Sequence, residues 1–210
     1  MLTTMYSAHK GHRKSWKARS STLVAIVDDY IARCREVRAR ELSFYGAQKT
    51  IADAVREAAL SRTESGKRHS HQRRIPRRVL GEAERRLQAS VEQLALSKSF
   101  SDLHRAVETR IRRIQGIGEL VVYDIAHRIG AHLGLKPEHV YLHAGTRKGA
   151  QALGFSGDRI TREEMPPAFH RLSPEEIEDC LCIYKSNLES GRLDVTSGDW
   201  CGPGKAPKLC

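Results

Sequence analysis

Residues 110–134, RIRRIQGIGELVVYDIAHRIGAHLG, break an apolar pattern of helical spacing with Gly-Ile-Gly and then resume it. That arrangement predicts an amphipathic helix, a reversal at Gly116-Ile117-Gly118, and a second helix over about 119–133 that stops at Gly134. Leu120, Val121, Ile125 and Ile129 mark the inward side of that second helix. The paired glycines admit backbone conformations closed to other residues, and Ile117 between them points back between the helices and pins them.

The same spacing recurs along most of the chain. Leu23, Val27, Tyr30, Ile31, Cys34 and Val37 predict one helix, and Ile51, Val55 and Ala59 a second after Thr50. Leu80, Ala83, Leu87, Val91 and Leu94 mark a third, and Ser101 stands as the cap of a fourth with Leu103, Val107, Ile111 and Ile114 inward. Residues 61–78, SRTESGKRHSHQRRIPRR, have almost no apolar content and read as a basic linker or exposed loop facing water or phosphate. LKPEHVYLHAG (135–145) is too short and too marked by Pro and Gly for a helix, and Thr146 is placed to cap a short one ending before Gly154. Ser173, Pro174 and Glu176 form a capping box at the head of the last helix, which Gly191 closes. With no internal repeat and no strand set in view, the expected class is all-α, a helical domain built around the hairpin. The expected organisation is a flexible basic arm over 1–20, an N-terminal helical region over 21–98, the hairpin region over 99–155, a C-terminal helical region over 156–190 and a loose tail over 191–210.

Charge narrows the partner class. The formal net charge is +11, and residues 1–100 hold 21 Lys and Arg against 10 Asp and Glu, whereas the last fifty hold 6 against 9. A basic face of that size concentrates polyanions, so nucleic acid is the first expectation, ahead of an anionic membrane. No apolar run reaches the roughly eighteen residues a membrane span needs, and the stretch Leu23 to Val27 is cut by Asp28 and Asp29, so no membrane partner is expected. Five cysteines, an odd number without a secretory segment, point to a reducing compartment, the cytoplasm of a bacterium or a nucleus. Cys180, Cys182, Cys201 and Cys210 do not suggest a metal site, because Cys180 and Cys182 fall on different faces of a helix and no CxxC pair occurs.

At the hairpin, the N–H groups that open the second helix are free to donate to a phosphate oxygen, with the positive end of the helix dipole behind them. Such contacts position a protein on duplex DNA without reading its sequence. The residues expected there are Gln115, Gly116, Ile117 and Gly118 in the turn, Arg112, Arg113, Arg128, Arg147 and Lys148 around it, and Arg73, Arg74, Arg77 and Arg78 from the basic loop. The segment resembles the helix-hairpin-helix motif, and through VYLHAGTRKGAQALG, over roughly residues 99–155, it is similar to the helix-hairpin-helix DNA glycosylase superfamily. The resemblance implies a role in DNA repair, modification or defence. That family uses a carboxylate after the second helix, and in many members a lysine beside the hairpin, to act on the sugar.

Here Leu120 stands where the lysine would be. Matching His143 to the family histidine puts Tyr141 at the carboxylate position, whereas counting without a gap puts Glu138 there. Glu138 is therefore the candidate acid, and Tyr141 and His143 are candidates to stack on and hydrogen-bond an extruded base. No cofactor is expected beyond a monovalent cation at the hairpin. Two rival readings stand beside sequence-independent DNA binding. One is a base-excision or base-modifying enzyme working through Glu138. The other is an interaction module that docks a protein partner on the apolar stripe Ile177, Leu181, Tyr184 and Leu188 of the 174–189 helix.

Overall fold

The computed structural model describes residues 20–193, and they are mostly helical. In chain order the elements are α1 (Ser20–Arg33), α2 (Arg35–Gly46), α3 (Ile51–Ala59), α4 (Arg77–Gln88), α5 (Val91–Ala95), α6 (Phe100–Ile111), α7 (Glu119–Leu133), β1 (Val140–Tyr141), α8 (Ala144–Ala152), β2 (Arg159–Ile160), α9 (Pro174–Ile183) and α10 (Lys185–Ser190). Single-turn helices lie at Ser70–Gln72 and Pro167–Arg171. The basic arm, apart from Ser20, and the tail from residue 194 onward, with Cys201 and Cys210, lie outside the described residues.

Local polar signals set several helix ends. Thr50, in extended backbone, accepts the Asp53 N–H at 3.1 Å and opens α3. The capping box forms at α9, where Glu176 accepts the Ser173 N–H at 2.9 Å. Gly134 and Gly191, in the left-handed region, end α7 and α10.

Other expected boundaries move. The cap of α6 is Ser99, which accepts the Asp102 N–H at 3.1 Å, while Ser101 lies inside the first turn and its hydroxyl donates to Glu138 at 3.2 Å. His143, in extended backbone, takes the cap position of α8 in place of Thr146, which is buried within the helix. The first predicted helix breaks at Cys34, because α1 packs in one apolar cluster and the end of α2 in another, and the chain bends between them. The third breaks after Gln88 into α4 and α5, and the last breaks at Tyr184 into α9 and α10.

The two apolar clusters divide the chain unexpectedly. One gathers α1 with α8, α9 and α10, so the beginning and end of the described chain share a core. The other is built from the middle, with Tyr45 and the apolar faces of α3 to α7. β1 runs along the seam. Successive strand side chains point to opposite faces, so Val140 and Leu142 enter the first cluster and Tyr141 the second. β1 pairs antiparallel with β2, setting Tyr141 opposite Arg159. The stripe Ile177, Leu181, Tyr184 and Leu188 is buried in the first cluster, which removes it as an exposed surface for a docking partner.

The basic loop is also more committed than its composition suggests. His69 and Gln72 are buried. His69 Nδ1 is 2.6 Å from Glu41 and its Nε2 is 2.7 Å from the Tyr45 hydroxyl. His71 and Gln72 both reach Asp124 of α7, at 2.6 and 2.7 Å. The polar side chains of 69–72 thus anchor the segment to α2 and α7, leaving Arg73, Arg74, Arg77 and Arg78 exposed.

Candidate nucleic-acid interface

The reversal between α6 and α7 has the form its sequence demands. Gly116 has φ +97°, in the region that strains side-chain-bearing residues, whereas Gly118 has φ −99° and ψ 177°, which any residue adopts. Ile117 is buried between the helices, and its N–H donates to the Ile114 carbonyl at 3.0 Å. Gln115, Gly116 and Gly118 are exposed. Gly118 is the N-cap of α7, and no side chain caps that helix, so its first N–H groups point outward without a side-chain acceptor.

Tertiary packing brings a second expected segment to the same place. A Cβ built on Gly116 would lie 3.6 Å from Val79 Cγ1, so the head of α4 abuts the glycine turn. Arg77 and Arg78 occupy the first turn of α4, which likewise has no side-chain cap. Among the described residues, Arg74, Arg77, Arg78, Arg113 and Lys148 have no side-chain ion pair or hydrogen bond, and all are exposed. Arg73 touches only the Arg68 carbonyl, at 3.5 Å.

Three of the arginines expected at the phosphate are otherwise engaged. Arg112 donates to the Ile117 carbonyl at 3.1 Å, so it braces the turn from within. A monovalent cation at that carbonyl would meet the guanidinium charge. Arg147 donates to the Leu142 carbonyl at 2.7 Å and reaches Glu119 and Asp158, each at 3.3 Å, tying α8 to the head of α7. Arg128 is buried and cannot face a phosphate. It lies 3.5 Å from Asp124, donates to Gln72 at 3.0 Å and stands over the Tyr45 ring. Periodicity marks one apolar stripe on its helix and gives no sign that the helix is covered on several sides.

The candidate catalytic residues separate. Glu138 accepts the Phe100 N–H at 3.0 Å and the Ser101 hydroxyl, so it serves as a carboxylate cap on α6, and it is exposed. Tyr141 and His143 do line a cavity of about 210 Å³ beside the head of α7, with His104, Tyr123, Arg147 and Arg159. Cross-strand pairing puts the Arg159 guanidinium 4.6 Å from the Tyr141 ring centroid, and the His104 ring stands 4.7 Å away from it. Sequence reasoning missed His104, Tyr123 and Arg159. The i, i+4 pairs His104 with Glu108 on α6 and Glu119 with Tyr123 on α7 were available as hints, but only packing shows that those faces converge.

One residue of the cavity wall, His143, belongs to a buried ion pair. His143 Nε2 is 2.8 Å from Glu178, which also accepts the Thr146 hydroxyl at 2.7 Å. Burial pushes the His143 imidazole down, but the Glu178 charge outweighs it and holds the ring above its ordinary value. Burial likewise pushes Glu178 up, and His143 and Thr146 bring it below the carboxylate range. His104 goes the other way, depressed to about 4 by burial and by the charges of Arg159 and His143. The arrangement offers stacking faces and donors to a planar polar group.

Acid titration should read two of these environments. Burial raises the Glu41 carboxyl, but the hydrogen bond from His69 and the Arg38 charge outweigh it and lower the group from 4.5 to about 2. That stability is present above pH 4.5 and is lost as pH falls through about 2. His104 contributes in the same direction, with full effect above 6.5 and loss as pH falls through about 4. Asp179, raised by burial from 3.8 to about 6, opposes them within that interval. In urea unfolding followed by circular dichroism, Glu41→Gln should flatten the pH dependence between 4.5 and 2. His104→Phe should flatten it between 6.5 and 4, and parallel curves for parent and variant would refute the assignment.

Among the described residues no group of three or more His, Cys, Asp and Glu side chains is arranged to hold a metal, and no helix is long and apolar enough to cross a membrane. Comparison with protein-family models, with curated proteins and with solved structures finds no match to this chain.

Proposed function

We propose that this chain binds duplex DNA through its phosphate backbone with little sequence preference, using the α6–α7 reversal as a helix-hairpin-helix and the head of α4 as a second contact. The observation that carries the reading is the packing of Val79 against Gly116, which sets Arg77 and Arg78 beside the exposed turn. Two uncapped helix N-termini and several unpaired guanidinium groups then serve one surface, and each element favours a phosphate oxygen. Glu119, the first residue of α7, is the opposing charge there, and Arg147 matches it. The reading assigns no catalytic step to Glu138, which is occupied at the head of α6.

Gly118 provides the cleanest test, because its backbone suits any residue and a Cβ there meets nothing within 4 Å. Gly118→Val should leave the fold intact by circular dichroism while its side chain holds a phosphate away from the α7 N–H groups. In fluorescence anisotropy with a labelled duplex over a salt series, the variant is expected to bind at least about tenfold more weakly, a loss of about 1.4 kcal/mol. Arg77→Ala with Arg78→Ala should lower the slope of log affinity against log salt by roughly one for each phosphate left without its guanidinium. Parent-like binding by Gly118→Val at every salt concentration would refute the hairpin as the phosphate clamp.

A further inference from the structure

A cavity of about 400 Å³ opens between α2 and residues 63–73. Its loop wall is built rather than loose. Arg62 and Arg68 face each other in an antiparallel bridge, the Thr63 N–H donates to the Lys67 carbonyl at 2.8 Å, and Gly66, at φ +73°, turns the chain between them. His69, bonded to Glu41 and Tyr45, fixes that hairpin against α2. Val37 and half-buried Phe44 supply the apolar part of the lining, and Val37 is 43% exposed.

Charge around the cavity is positive, and little of it is matched. Arg40, Lys67, Arg68 and Arg73 line it, against Glu41 and Glu64. Glu41 is already engaged by Arg38 at 2.8 Å and His69 at 2.6 Å, which leaves exposed Glu64 as the opposing charge. Among the described residues Lys67 is exposed and has no side-chain ion pair or hydrogen bond. Arg40 pairs with Glu36 at 3.1 Å, both side chains being largely exposed, so solvent weakens the pair. Arg68 and Arg73 each donate one N–H to a backbone carbonyl, of Ile75 and Arg68 respectively, and that leaves their positive charge unneutralised.

The same charge runs on toward the duplex surface. Arg73 lines the cavity, Arg74 follows it, and Arg77 and Arg78 stand at the head of α4 beside Gly116. Arg77 is four residues after Arg73 in the chain, so it lies at most about 14 Å away, or roughly four nucleotides of one strand. A duplex hides its base faces in the stack and would bring only phosphates to the cavity, leaving Val37 and Phe44 uncovered. An unpaired strand brings both a base for the apolar lining and phosphates for the cations. We infer that this cavity holds single-stranded DNA continuing from a duplex gripped at the hairpin, with a base against Val37 and Phe44 and phosphates on Lys67, Arg68 and Arg73. The inference rests on the duplex reading of the hairpin and names its preferred substrate, a duplex with a single-stranded end.

Fluorescence anisotropy on the full chain compares a blunt duplex with the same duplex carrying an overhang of about ten thymidines at its 3′ or its 5′ end. One of the two overhangs is expected to raise affinity at least about fivefold. Val37→Glu, at an exposed helix position, and Phe44→Leu, which removes the ring without changing charge, should each abolish that gain while blunt duplex binds as in the parent. Lys67→Gln should lower the salt slope of the overhang complex by about 0.7, the single-strand value for one phosphate, and leave the blunt slope unchanged. Equal affinity for blunt duplex and both overhangs, or a gain that survives in Val37→Glu, would overturn the inference, and Val37→Glu decides if Phe44→Leu does not fold. If the parent does not bind blunt duplex, the hairpin reading fails by itself, and a thymidine single strand then tests the cavity. Binding of that strand weakened at least about fivefold by Val37→Glu supports the cavity as a single-strand site, whereas no binding, or parent-like binding by the variant, overturns it.

Discussion

Gly149→Ala is expected to cost the protein about 3 kcal/mol or more of stability, although alanine is the better helix former by roughly 1 kcal/mol. Gly149 lies on α8 where it meets α9. A Cβ there would fall inside contact distance of the Leu181 carbonyl oxygen, 2.9 Å from its carbonyl carbon and 3.1 Å from its Cα. These are backbone atoms of a helix and cannot rotate away, so α8 and α9 must move apart. That movement would pull Thr146 from Glu178, now 2.7 Å apart, and strain the adjoining His143 pair. A lost buried hydrogen bond of this kind adds about 1–3 kcal/mol to the overpacking cost. Gly81→Ala is the matching control. Gly81 lies within α4 with nothing within 4 Å of an added Cβ, so alanine there should stabilise by about 0.5–1 kcal/mol. Urea unfolding monitored at 222 nm measures both, and a Gly149→Ala variant as stable as the parent would show that the two helices do not approach as described.

Arg128→Met should be comparably damaging, for an electrostatic reason. Asp124 is pushed up by burial, and Arg128 with His71 bring it below the usual carboxylate range. Removing the guanidinium leaves that carboxylate with His71 and Gln72, and it strips the Gln72 and Ala58 carbonyl oxygens of a donor. Breaking a buried pair from one side typically costs about 3–5 kcal/mol. Arg128→Lys should recover less than half of it, because an ammonium cannot span Asp124, Gln72 and the Ala58 carbonyl as a planar fork does. Where the Met variant is still folded, the salt slope of duplex binding should equal that of the parent. A shallower slope would mean that Arg128 reaches a phosphate after all.

These two residues show where reading the chain in one dimension stops. The end of α7, the start of α9, the cap at Thr50 and the turn at Gly116 were legible because each depends on residues a few positions apart: a side-chain oxygen and a nearby N–H, or a glycine and its own φ. The basic loop reads as wholly exposed only if polarity is equated with solvation. His69, His71 and Gln72 are polar and still buried or nearly so, since Glu41, Tyr45 and Asp124 wait for them on distant helices. Glu138 matches a carboxylate position by counting, yet the free N–H at the head of α6 claims it. The stripe at Ile177, Leu181, Tyr184 and Leu188 has the same spacing for a docking face as for a core face, and α1 settles it by sharing that core.

By itself, the sequence determined that this chain would be mostly helical, that a reversal would fall at Gly116, and that its first half would carry an excess of positive charge. Those properties follow from local periodicity, backbone freedom and composition. Tertiary structure decided which arginines remain exposed, that Val79 meets Gly116, and that Tyr141 and His143 line a cavity while Glu138 caps α6. The physical reason is that burial and pairing depend on which surfaces meet across many residues of intervening chain, and helical periodicity specifies that a face is apolar without specifying what covers it.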